Sequence, residues 1–321
     1  MRVFENASFP FLAWRRRAYI VTAVLLLAGL AAMIRNIADP SIGSWQNYGV
    51  DFTGGTVVQV SFEQTTDVEN IRAIPGADAW EIYRYGSEND FMIRMPTFAQ
   101  GTDADASQVV RATLGQQFDQ DAFQIVRTEA VGPKVGSELQ QRALLAILLS
   151  LGATLIYLAI RFEWRFGVAA VVATAHDILI TLGFLALIQS EISLGTVAAL
   201  LTIVGYSLND TIVVFDRIRE NLALPHRGQN FEQILTRSIN ETLPRTVLTG
   251  VSTLGTLFSL LIFGGPVIRD FALVLILGIV IGTFSSIFVA APVLYIIEKK
   301  WPRKWTKSGT AQAPRRQGAA V

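Results

Sequence analysis

Ionisable side chains inside long apolar runs are the places to look first for chemistry in this chain. Asp210 lies within the run 192–216, six residues before Asp216. Arg245 lies just inside the run 243–263, and His176 and Asp177 interrupt the run 165–188. A charged side chain at the centre of a membrane helix costs about 2.5–3.5 kcal/mol on insertion scales, so such residues are functional candidates by default. At 1.5 Å per residue, Asp210 sits about 9 Å inside one membrane face. Arg245 enters from that same face, at similar depth and with opposite sign. His176 and Asp177 fall about 17 Å in, near the midplane.

The neighbours of these charges are polar as well. Arg245, Thr249, Ser252, Thr256 and Ser259 recur at spacings of four, three, four and three, which places them on one helical face. Thr196, Ile203, Tyr206, Ser207 and Asp210 share a face of the preceding run, with Asn209 beside the carboxylate. A hydroxyl stripe that ends at a carboxylate could hold a water chain and pass protons. The candidate proton path is therefore Asp210, Arg245, Asp177, His176 and Asn209, flanked by the polar face of Tyr206, Ser207, Thr249, Ser252 and Thr256. The blander alternative also stands, because hydroxyls in membrane helices bond their own backbone and small residues let helices pack closely. Gly278 and Gly282 fit that packing role, and His176–Asp177 could serve only to anchor one helix to the next.

The elements that must position these residues follow from composition. Of 321 residues, 51% are hydrophobic and 17% charged, against about 25% charged in soluble domains. Six runs are long enough for a roughly 30 Å hydrocarbon core. They span 18–37, 139–160, 165–188, 192–216, 243–263 and 270–298. Net charge is +1 overall, but residues 38–138 carry 15 acidic and 6 basic side chains. Basic residues cluster at Arg15, Arg16 and Arg17, at Arg161 and Arg165, in the loop 217–242 and after residue 298. The positive-inside rule then puts residues 1–17, the loop 217–242 and the tail 299–321 in the cytoplasm, and 38–138 outside. The tail's composition suggests disorder at its end. The first run is too long for a signal-peptide core and reads as an uncleaved anchor.

Within 38–138 the hydrophobic period changes. Strands are expected at 56–62, 80–85, 91–95 and 123–131, and helices at 67–74 and 105–118, with residues 86–90 as a hairpin turn. That order, β-α-β-β-α-β, is the ferredoxin-like one. The fold class expected is thus a polytopic α-helical membrane protein with one ferredoxin-like α+β periplasmic domain. No nucleophile–base pair and no metal-spaced cluster is visible, and there is no cysteine. The sequence therefore points to no enzyme, no cofactor, no metal and no nucleic-acid partner.

Several motifs, in order along nearly the whole chain, give it a family resemblance. They are Gly49-Val50-Asp51-Phe52-Thr53-Gly54-Gly55-Thr56, Val131-Gly132-Pro133, Arg161-Phe162-Glu163-Trp164-Arg165 and Ala175-His176-Asp177. Val204-Gly205-Tyr206-Ser207-Leu208-Asn209-Asp210-Thr211, running on to Asp216-Arg217 and Glu220-Asn221, continues the set, with Leu243-Pro244-Arg245-Thr246 and Phe263-Gly264-Gly265-Pro266 completing it. In these stretches the chain resembles the SecF family of protein-export subunits, related to the proton-driven RND exporters.

The resemblance implies a six-helix half-transporter in the bacterial inner membrane, paired with SecD as a heterodimer. It implies work with the SecYEG channel on a translocating preprotein, driven by protons, and leaves open an accessory subunit such as YajC. By family pattern Asp210 is the proton-carrying carboxylate and Arg245 its charged neighbour. The Gly49, Asp51, Phe52, Gly54 and Gly55 motif is either a hinge or simply a strand start. Two rivals stand beside this reading: half of an RND-type exporter of small molecules or lipids, and a pure scaffold.

Overall fold

The structure, a computed structural model, describes residues 8–40, 42–77, 80–85, 87–95, 103–224 and 229–302. Residues 1–7, Gly86 of the expected turn, Arg227 of the expected loop and the expected tail from residue 303 onward lie outside the described residues.

In chain order, the elements begin with α1 (Arg15–Ala38), β1 (Asn47–Tyr48), α2 (Val50–Thr53) and β2 (Gly55–Phe62). They continue with α3 (Val68–Arg72), β3 (Glu81–Arg84), β4 (Asp90–Met95), α4 (Asp103–Leu114) and β5 (Phe123–Val131). Then come α5 (Pro133–Arg161), α6 (Trp164–Leu187), β6 (Glu191–Ile192), α7 (Leu194–Ala223) and α8 (Phe231–Phe263). The last span is α9 (Pro266–Ser285), a π turn (Ser286–Ala290) and α10 (Ala291–Lys300).

Six helices among the described residues are long and apolar enough to cross a membrane. The chain is a polytopic membrane protein. Its spans are not equivalent. In α6 and in the last span, 61% of the apolar window is buried, against 17% in α1, 11% in α5 and 17% in α8. So α6 and α9 form the middle of the bundle, and α1, α5 and α8 turn apolar surface outward. Small residues permit the tightest contacts. A Cβ on Gly29 of α1 would lie 2.7 Å from the Gly183 Cα of α6, so only glycine allows that crossing.

The described residues of the expected loop 217–242 are largely helical. α7 runs on to Ala223 and α8 starts at Phe231, leaving a short connection. Hydropathy ends a span at the first charges, but a helix continues wherever its charged side chains find partners. Here Arg217 pairs with Glu220 at 2.8 Å and with Glu241 at 2.6 Å, and Arg237 with Glu241 at 2.8 Å. Asn230 and Gln233 form a capping box at the start of α8, which satisfies orphan N–H groups of its first turn.

Outside the bundle, four strands form an antiparallel sheet in the order β3-β4-β2-β5. Side chains alternate across β2. Val58, Val60 and Phe62 face a core shared with Phe91, Ile93, Ile71, Val110 and Leu114. Val57 faces the other way and packs with Val50 and Met92.

A two-stranded parallel pair escaped the sequence reading. β1 pairs with β6, Asn47 opposite Glu191 and Tyr48 opposite Ile192. It ties the start of the outer domain to the loop between α6 and α7. Two-residue strands have no readable period, so no pattern could have announced it.

Candidate functional site

Asp210 and Asp177 are buried where α6, α7, α8 and the π turn meet. Asp210 faces inward because it shares a helical face with Thr196, Ile203 and Ser207, all buried. Its Oδ1 accepts a hydrogen bond from Thr246 Oγ1 of α8 at 2.7 Å. Its Oδ2 accepts one from Ser286 Oγ of the π turn at 2.8 Å. Asp177, fully buried on α6, accepts from Ser207 Oγ at 2.6 Å and from Ser285 Oγ at 2.8 Å, both on Oδ2. Its Oδ1 lies 3.0 Å from His176 Nδ1. Two carboxylates are thus held by four hydroxyls, one each from α7, α8, α9 and the π turn. Every one of these bonds crosses between helices, apart from the local His176 contact.

The packing that brings them together rests on glycine. A Cβ on Gly278 of α9 would lie 2.1 Å from Ile203 Cδ1 of α7, and one on Gly282 would lie 3.1 Å from Ser207 Cβ. The π turn has its own cause. Pro292 lacks an N–H and its ring clashes with the carbonyl four residues back in an α-helix. A wide turn just before it relieves both problems, and such turns collect at functional sites.

Arg245, the charged neighbour expected for Asp210, does not touch it directly. Arg245 has no hydrogen bond or ion pair to Asp210 among the described residues, although its charge acts on it through space. Its side chain is exposed, because one step along a helix turns a residue by about 100°, and Thr246 takes the inward position instead. The polar stripe turns outward with it. Thr249, Ser252, Thr256 and Ser259 are all exposed, and each hydroxyl bonds a carbonyl of its own helix.

Asn209 is likewise exposed. With Arg245, Arg161 and Arg217 it lines an outward cleft near one end of α7 and α8. Tyr206 is half-buried against an apolar cluster with Ile203 and Leu257. Thr246 appeared in the sequence only as a motif position beside Arg245, and Ser285 and Ser286 were not singled out. Their signal was present in the Ser-Ser pair inside an apolar run, six residues before Pro292.

The Gly49–Gly55 motif joins the outer domain to this bundle. Gly54 (φ 75°) and Gly55 (φ 112°) take left-handed backbone conformations that other residues rarely adopt, and Gly55 begins β2. A Cβ on Gly136 of α5 would lie 2.9 Å from Phe52 O, so the motif is packed against α5. Asp51 Oδ2 accepts from the Leu194 N–H at 2.7 Å. The motif's carboxylate therefore caps the N-terminus of α7, the helix that carries Asp210.

Two tyrosines of the sheet add to this seam. Tyr83 donates to Glu191 Oε2 at 3.3 Å, and Tyr85 donates to Asp270 near the start of α9. Burial pushes the Glu191 carboxyl up, while the Arg94 charge and the Tyr83 hydroxyl partly offset it. Burial also pushes both phenols up. Among the described residues no cluster of His, Asp and Glu could hold a metal ion.

Comparison with known proteins gives one answer. Residues 110–300 match the family described as protein export membrane protein SecD/SecF, C-terminal, and residues 47–66 match the SecD/SecF GG motif. The protein translocase subunit SecF of Gemmatimonas aurantiaca is 45% identical, covering 100% of this chain and 96% of that one. The SecF subunit of Calditerrivibrio nitroreducens is 41% identical over 92% of this chain and 95% of its own. The crystal structure of SecDF from Thermus thermophilus, a translocon-associated membrane protein, superposes with a TM-score of 0.80 at 35% identity. That match covers 93% of this chain but 40% of the SecDF chain, so a larger part of SecDF has no counterpart here. With full-length relatives well above 30% identity and a family match over most of its length, this chain belongs to the SecF family of protein translocase subunits.

Proposed function

We propose that this chain is the proton-handling half of a SecD–SecF pair that draws on the proton motive force to assist late steps of protein export through SecYEG. The observation that carries the reading is Asp210. It is a buried carboxylate inside a span, held by hydroxyls from two neighbouring elements and not neutralised by a hydrogen-bonded cation among the described residues. An ionisable group buried inside a span is costly and marks a functional site by default.

The outward face of α8 supports the two-chain reading. An exposed Arg245 and four exposed hydroxyls on a membrane helix are poorly suited to lipid. A second helical bundle, contributed by SecD, covers them. The outer domain is ferredoxin-like and lies on the periplasmic side of the bacterial inner membrane, with both termini cytoplasmic. One proton crossing a potential of about 100 mV supplies about 2.3 kcal/mol, enough to bias a domain equilibrium of a few kcal/mol. The preprotein is the cargo, and an accessory subunit such as YajC is a further candidate partner. The chain acts as a transporter subunit and not as an enzyme.

The test is Asp210→Asn in inverted membrane vesicles, with export measured with and without a proton gradient. Loss of the gradient-dependent component is expected, with assembly intact. An undiminished gradient-dependent rate would sink the proposal.

A further inference from the structure

The two serines at the π turn differ from the other hydroxyls around the carboxylates. Each has a second acceptor within reach. Ser286 Oγ lies 2.8 Å from Asp210 Oδ2 and 3.0 Å from the Thr283 carbonyl. Ser285 Oγ lies 2.8 Å from Asp177 Oδ2 and 3.1 Å from the Gly282 carbonyl. A hydroxyl has one hydrogen to donate, so each serine serves one acceptor at a time. Thr246 and Ser207 show no second acceptor among the described residues.

A charged carboxylate only accepts hydrogen bonds, whereas a protonated one must also donate. A proton on Asp210 Oδ1 would meet the Thr246 hydroxyl, which has nowhere else to turn, and a buried donor would be left unmet. A proton on Oδ2 meets Ser286. That O–H donates to Ser286 Oγ while the Ser286 hydroxyl donates to Thr283 O. No hydrogen bond is lost, one is gained, and only one hydroxyl rotates.

Asp177 is arranged differently. Its Oδ2 accepts from two hydroxyls, one of which has no alternative, and its Oδ1 faces His176. It is built to keep accepting, and so to hold α6, α7 and α9 together.

We infer that Ser286 is the positioning residue for the Asp210 proton: it donates to Oδ2 when the carboxylate is charged and turns to the Thr283 carbonyl when Oδ2 is protonated. This rests on the reading of Asp210 as the proton carrier. Of the charged groups on the elements packed here, Arg245 on α8 acts on Asp210 through space, and the pair His176–Asp177 lies buried nearby on α6. Neither is hydrogen-bonded to Asp210 among the described residues, so neither substitutes for the hydroxyl.

The experiment uses the complex with its SecD partner in lipid bilayers and follows the carboxyl stretch by infrared difference spectroscopy across pH. The Asp210 band is identified by its loss in Asp210→Asn. Ser286→Ala is expected to shift that band's frequency and move its titration midpoint by about one pH unit, the scale of one hydrogen bond to a charged group. Ser286→Thr is expected to restore both. An Asp210 band unmoved in frequency and midpoint by Ser286→Ala overturns the inference and leaves the proton reading standing. Should the alanine variant fail to assemble, Ser286→Cys keeps the size and weakens the donor, and an unmoved band there overturns the inference equally. If no pH-dependent band is lost in Asp210→Asn, the proton reading fails and the inference with it.

Discussion

Replacing Gly278 with alanine tests whether the α7–α9 contact sets the geometry at Asp210. The new Cβ would lie 2.1 Å from Ile203 Cδ1, 2.3 Å from Cγ1 and 3.0 Å from Cγ2. Unstrained carbon contacts sit at about 3.5–4.0 Å. Ile203 is 1% exposed and β-branched, so its side chain cannot swing clear. The helices must separate, at a cost of about 1–3 kcal/mol, the usual scale of overpacking. Ile203→Ala alone leaves a cavity and costs about 2–5 kcal/mol. In the double variant the added methyl occupies part of that cavity. Its total cost should fall short of the sum of the singles by at least about 1 kcal/mol. Unfolding of the purified chain in mixed micelles, followed by tryptophan fluorescence, gives all three values. Gradient-dependent export in vesicles should follow the same order, because separation of α9 from α7 draws Ser286 away from Asp210. Strictly additive costs, or a Gly278→Ala variant as stable as the parent, would refute the reasoning.

Other outcomes follow from the same geometry. Gly29→Ala meets the Gly183 backbone and no movable side chain, so its destabilisation in the same unfolding assay should not be rescued by truncating neighbouring side chains. Asp51→Ala removes the cap on the Leu194 N–H and should cost about 0.5–2 kcal/mol, with most recovered by Asn. Arg245→Ala should change the isolated chain's stability by no more than about 0.5 kcal/mol, as for an exposed site, yet lower recovery of SecD in copurification. Glu191 has a folded-state proton affinity raised by burial. Its contribution is favourable below the unfolded carboxylate range and is lost as pH rises through the raised folded value. Glu191→Gln should therefore raise the melting temperature at neutral pH, with the difference vanishing in acid. A constant difference across pH would argue against that cause.

The spans were legible because apolar length is a one-dimensional property, and the outer strands because period two is local. The buried carboxylates were legible for the same reason: a charge inside an apolar run stands out on its own. Their partners were not. Whether Arg245 or Thr246 faces Asp210 depends on the rotation of α8 about its axis, and a polar stripe from Arg245 to Ser259 fits an inward or an outward orientation equally well. Burial resolves it, placing Thr246 at 2% exposure and Arg245 on the outside. Ser285 and Ser286 look like ordinary small residues until the helix next to Pro292 opens into a π turn. Asp51 is recognisable as part of a motif, but its role as the α7 cap joins positions 143 residues apart.

That last contact bears on how a proton event could reach the outer domain. Asp51 holds the first turn of α7, and Tyr85 holds Asp270 near the start of α9. The same two helices carry, further along, Asp210 on α7 and the approach to Ser286 on α9. Leu194 and Asp210 are separated by about 24 Å of continuous helix. A rigid helix carries a shift at one end to the other, whereas loops would absorb it. The outer domain therefore rests on the ends of the two helices that lead to Asp210 and to its partner Ser286. Coupling needs only a small displacement of α7 against α9, and the glycine contacts at 278 and 282 leave that interface close enough for such a displacement to register. If the domain is coupled in this way, a disulfide fixing α7 to α9 near Gly278 should abolish gradient-dependent export while leaving the gradient-independent component, and reduction should restore it. Full export with the crosslink intact would mean that the signal travels by another route.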